Sequence, residues 1–146
     1  MKITFIPLCL LLILFTSCNE NKIKETTVIT LAETSKSWDG KTLPKYPDGN
    51  PKVTILKIII PPKTKLKLHK HPEINAGILL KGELTVISEH NDTLNLSAGD
   101  PIVELVNTWH YGINNGNEPA EIVVFYAGIE NKPITVLKNL KQSTSH

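Results

Sequence analysis

Arginine is missing altogether: all 16 basic residues of this 146-residue chain are lysine. Without the planar guanidinium fork, bidentate clamps on carboxylate or phosphate are excluded as a first expectation. Charge of one sign is also lacking. Sixteen lysines against 14 acidic residues leave a formal charge of +2, too little for an electrostatic grip on nucleic acid, so no nucleic-acid partner is expected. Cysteine occurs only at positions 9 and 18. No CxxC pair, phosphate-binding loop, or serine or cysteine nucleophile arrangement is found, and no segment sustains a helical period. What is present is an apolar fraction of 40% with 10 prolines and 8 glycines. That is too apolar for disorder and implies one compact, turn-rich domain.

The N-terminus is an address. Met1 and Lys2 precede an apolar run from Ile3 to Phe15 interrupted by Pro7, followed by Thr16, Ser17 and Cys18. The run falls short of the roughly 20 residues that span a bilayer and reads as a signal peptide over residues 1–17. Small residues ahead of a cysteine resemble the lipobox of bacterial lipoproteins. That resemblance implies a lipid on Cys18 as the membrane contact, and an exported protein facing either the periplasm or the cell exterior. Cleavage there removes Cys9 and leaves no partner for a disulfide, so stability must come from a packed core or a metal. Residues 18–26 read as a polar tether, 27–138 as the folded domain and 139–146 as a frayed tail.

From residue 27 onward, apolar residues come in short β-branched runs bounded by turn signals every eight to twelve residues. Strands are expected near 27–32, 53–60, 66–71, 76–81, 83–89, 93–96, 101–106, 109–114, 120–127 and 134–137. Turns are expected at Gly82, at His90 to Asp92, at Ser97 to Asp100 and at Asn114 to Asn117. Ser35 to Pro51 is too rich in breakers for regular structure and is expected as an ordered loop over one mouth of the sheet. Ten short strands in one domain suit a closed all-β sandwich or jelly roll.

His69 and His71 stand two apart, so a strand projects both imidazoles from one face. His110 follows some forty residues later, where it can complete a metal site across a barrel. By spacing alone, a wet HxH face is an equal reading. The surroundings favour the metal: Lys63 to Asn114 resembles the paired motifs of the cupin superfamily, G-x5-HxH-x3,4-E-x6-G and G-x5-PxG-x2-H-x3-N. His69, His71 and Gly82 match the first; Gly99, His110 and Asn114 match the second. Lys63 stands in place of the first glycine, Leu105 and Asn107 in place of the second motif's proline and glycine, and Asn75 in place of the glutamate. The resemblance implies a single-domain jelly-roll β-barrel holding one divalent transition metal (Fe, Zn, Mn, Ni or Cu) through His69, His71 and His110. Asn75 or water would complete the shell, with Glu73 as the alternative.

It also implies a small-molecule substrate or ligand, homodimerisation as a common assembly, and either of two roles. One is a metal-dependent enzyme of dioxygenase, isomerase or lyase type, with Glu104 or Glu73 moving a proton. The other is a non-catalytic module for a small ligand such as a saccharide. Glu104, in the apolar run Ile102 to Val106, is expected to point outward rather than into the site. Unbroken alternation over 64–71 would put Lys65 and Lys67 on the histidine face, so either a bulge precedes His69 or the outer face is covered. The lysines at 63, 65, 67 and 70 read more simply as a wet strand face than as an anion site.

Overall fold

Alternation of apolar and polar residues carries through to the structure, a computed structural model that describes residues 25–138. The signal-peptide and Cys18 assignments, most of the tether and the 139–146 tail lie outside the described residues. The strands are β1 (Pro51–Ile60), β2 (Thr64–Lys65), β3 (His69–Lys70), β4 (Ile74–Lys81), β5 (Glu83–Ser88), β6 (Thr93–Ser97), β7 (Pro101–Val103), β8 (His110–Asn114), β9 (Ala120–Ile129) and β10 (Val136–Leu137). One sheet runs β1-β9-β4-β7 and the other β10-β3-β8-β5-β6, with β2 also on β8. All their strand pairings are antiparallel. The fold is the expected all-β jelly roll.

The core lies between the sheets. Leu79 of β4, Leu84 and Val86 of β5, and Ile122, Val124 and Tyr126 of β9 turn inward and are buried. Turns fall where residues that tolerate positive φ stand: Gly82, Asn91 and Gly99. A Cβ at Gly82 would meet the Pro119 carbonyl oxygen at 2.8 Å, so this turn needs glycine for space as well as for φ. Two motif positions without glycine adopt the same conformation, Lys63 at φ 54° and Asn107 at φ 57°. Lys63 therefore makes its turn in place, despite carrying a Cβ.

Three sequence expectations are corrected. No strand forms over 27–32: Val28 and Ile29 are exposed, and the outer edge of β7 is engaged instead by Trp38, whose N–H donates to the Val103 carbonyl at 2.9 Å. β-branched composition makes a strand only where an open edge accepts it. The expected 66–71 strand is split. Leu66 and His69, an odd interval apart, both line the interior, so the chain breaks register between β2 and β3 and sends Lys65 outward onto the Tyr111 ring, 3.9 Å away. The expected 101–106 strand ends at Val103, and its inner parity, Ile102 then Glu104, continues past that end. Glu104 thus points inward, against the outward expectation.

Candidate metal centre

Two stretches of chain deliver three imidazoles to one point. His69 on β3 lies directly opposite His110 on β8 in the antiparallel ladder. His71 follows on the same face, tied to the far segment by a bridge to Val106 and by the Asn107 N–H donating to its carbonyl at 2.8 Å. The positive φ of Asn107 turns the chain so that this link can form. Ring centroids are 5.0 Å apart for His69 and His71, 4.6 Å for His69 and His110, and 5.0 Å for His71 and His110. One ring nitrogen from each lies within 4.8 Å of the other two.

The second nitrogen of each ring is already engaged. Nδ1 of His69 bonds the Lys67 carbonyl at 2.7 Å, Nδ1 of His71 the Ile134 carbonyl at 2.9 Å, and Nδ1 of His110 the Thr108 carbonyl at 2.8 Å. A carbonyl can only accept, so each Nδ1 carries the proton and each Nε2 keeps its lone pair. Burial pushes all three imidazoles below their ordinary pKa, His71 to about 4. Three neutral rings with unprotonated Nε2 atoms are the donor form a transition metal requires.

Glu104 joins them. Its Oε2 stands 3.6 Å from Nε2 of His110, and neither buried atom has a hydrogen-bond partner. Burial raises its carboxyl to about 7, partly offset by His69. The pair is therefore no ordinary ion pair, since burial favours the neutral form of both partners. The indole N–H of Trp38 also lowers the Glu104 pKa, although Nε1 makes no full hydrogen bond.

These side chains floor a cavity of about 260 Å³ walled by Leu56, Ile58, Leu66, Val86, Ile122 and Val124. Gly112 keeps it open: a Cβ there would come within 3.2 Å of Leu84 and 3.3 Å of Leu66. Tyr126 and Thr135 also line it, Tyr126 edge-on to His71 at 5.5 Å and Thr135 with its hydroxyl 3.2 Å from the His71 Nδ1. Neither these two nor Trp38 was singled out from sequence. The inward parity of Tyr126 with Val124 was a usable signal, whereas Trp38 and Thr135 sit in irregular segments with none.

The other two sequence candidates are buried but differently placed. Asn75 of β4 is 1% exposed; its Nδ2 donates to the Glu73 carbonyl at 3.1 Å and its Oδ1 is unpaired. Glu73 packs against Gly128, with its carboxylate 3.6 Å from the Lys132 ammonium, and does not line the cavity. The bend at Pro72 does not turn it toward the histidines.

Comparison with known proteins accords with this geometry. Residues 56–126 match the cupin domain family. No curated protein matches the chain by sequence. An oxalate oxidase solved with the substrate analogue glycolate superposes with a TM-score of 0.50 at 25% identity, over 58% of this chain and 45% of that one. A DMSP lyase from Ruegeria pomeroyi gives 0.52 at 20% identity, over 59% and 43%. An uncharacterised double-stranded β-helix protein from Klebsiella pneumoniae gives 0.51 at 19% identity, over 77% and 97%. The chain spans less than half the length of the first two. Residues 56–126, which carry all three site histidines and Glu104, are thus similar to the cupin domain family, and the chain shares the all-β jelly-roll fold of these structures.

Proposed function

We propose that this protein is an exported, lipid-anchored cupin that binds one divalent transition metal through His69, His71 and His110 and acts as a metal-dependent enzyme on a small molecule. The observation that carries the reading is the set of three Nδ1–H···O=C bonds, which leaves three Nε2 lone pairs free at the floor of the cavity. When bound, such an ion supplies Lewis acidity or activates oxygen. The chain itself binds and orients the substrate. A cavity of about 260 Å³ has room for on the order of ten non-hydrogen atoms. Its walls are largely aliphatic, with Lys67, Tyr126 and Thr135 also on the lining, so the molecule that fits has a compact apolar body and an oxygen-bearing head directed at the histidines. Dry walls around a polar floor also keep bulk water from that head.

Elemental analysis of the purified protein tests the first half: one transition metal per chain is expected, and its loss in His69→Ala. A metal-free wild type would overturn the reading. Turnover of a small apolar-bodied acid or alcohol, abolished in His110→Ala, tests the second half. Asn75 at the carboxylate position of the first motif favours an alternative, a non-catalytic ligand module. That alternative predicts a ligand-dependent rise in Tm without product, and conversion of the ligand rejects it. For the anchor, Cys18→Ser is expected to move the protein from the membrane to the soluble fraction. Retention of the variant at the membrane would reject lipidation.

A further inference from the structure

On the three-histidine reading just given, we infer that Glu104, and not Asn75, supplies the carboxylate or amide oxygen that completes the metal shell. The argument begins with register. Ala76 of β4 pairs with Val103 of β7, and one step beyond, the Glu104 N–H donates to the Asn75 carbonyl at 3.0 Å. Residues 75 and 104 are thus cross-strand neighbours with both side chains on the inner face. Only one of two such neighbours can be a carboxylate without placing two buried like charges side by side. Here the carboxylate is on the β7 side and the amide on β4.

Their surroundings separate them further. Glu104 lines the cavity beside the histidines, and Asn75 does not. The Asn75 amide is tied back to the Glu73 carbonyl. Oε2 of Glu104 and Nε2 of His110 face each other across 3.6 Å, both buried and both without a hydrogen-bond partner. That gap is too wide for a hydrogen bond. Two ligand atoms each about 2.1 Å from one ion stand about 3.0–3.4 Å apart, so a shared cation fits between them after a small closure. Glu104 does not yet join the close cluster of three histidine donor atoms. Rotation of its flexible side chain provides the closure, whereas the amide of Asn75 would first have to release its bond to Glu73. The carboxylate also contributes negative charge to a site whose other three donors are neutral, which an amide cannot.

The test is cobalt(II) binding to the purified full-length protein, read by calorimetry and by the visible d–d spectrum. Wild type is expected to bind one ion per chain. Glu104→Gln should lose on the order of 100-fold in affinity with an altered spectrum, while Asn75→Ala stays within about threefold with the spectrum unchanged. The exchange variant Asn75→Asp with Glu104→Gln, checked for folding by circular dichroism, should recover no more than part of the loss. Equal affinity and spectra for Glu104→Gln and wild type would overturn the assignment while leaving the three-histidine centre standing. So would a loss in Asn75→Ala as large as that in Glu104→Gln. No binding by wild type would remove both.

Discussion

At His71 burial and hydrogen bonding compete, and burial wins: desolvation drives its pKa to about 4 from 6.5, although the Ile134 carbonyl stabilises the ring as a donor. Between those two values the unfolded chain binds a proton that the folded chain does not, so stability falls as pH falls through this window. The effect for His71 alone is about 3 kcal/mol. His69 and His110 shift in the same direction. Glu104, raised from 4.5 to about 7, acts oppositely, because its folded-state proton favours the fold more at acid pH. Three groups against one set the net sign. Metal-free protein is expected to lose stability from pH 6.5 to pH 4 by urea unfolding, and His71→Asn should flatten that slope. At the same scale, His110→Ala should abolish metal retention measured by elemental analysis. HxH spacing disclosed these histidines to a reader of the sequence. Glu104 was visible only as a charge in an apolar run, because Pro101, Ile102, Val103 and Leu105 offer no polar alternation from which to read a direction.

Among the elements, the turn between β4 and β5 and the split between β2 and β3 show how backbone limits shape the site. Gly82→Ala must place a Cβ against the Pro119 carbonyl at a positive φ of 76°. A loss of about 2 kcal/mol or more is expected by denaturant titration, with metal stoichiometry preserved, since the turn lies away from the histidines. β1, β4 and β9 carry apolar residues on both faces, interrupted on the outer face by the Lys57–Glu121 ion pair. On the outer face Ile55 pairs with Phe125, Phe125 also pairs with Ala76, and Val53 pairs with Ala127; Ile55, Phe125 and Val53 are 64%, 44% and 61% exposed. Sequence alternation located most of these strands to within two residues. It misplaced 27–32 and 66–71 and overran β7 at 101–106, since pairing partners and register breaks are non-local properties that a local pattern does not contain.

For the molecule as a whole, a bound metal and the core would act on one equilibrium. An ion that binds only the folded chain stabilises it by about 2.7 kcal/mol at a hundredfold excess over Kd, a rise of roughly 10 °C in Tm for a domain of this size. Chelation followed by differential scanning calorimetry should show that drop in wild type and none in His69→Ala. The apolar outer face of the β1-β9-β4-β7 sheet is, in our proposal, the contact of a homodimer, in which a second copy offers the same self-complementary strip. Light scattering is expected to give a dimer for wild type and a monomer for Phe125→Glu; a wild-type monomer would reject the dimer.

The amino-acid order alone determined an all-β domain, the paired-motif spacing and three candidate imidazoles, because side-chain parity in a strand and turn chemistry are local. Only the tertiary structure decided that Glu104 faces inward, that Glu73 is turned to Lys132, and that Trp38, Tyr126 and Thr135 border the site. Each of those depends on which strands lie side by side and where a ladder ends, and that is settled by burying both sheets against each other rather than by any neighbour in sequence.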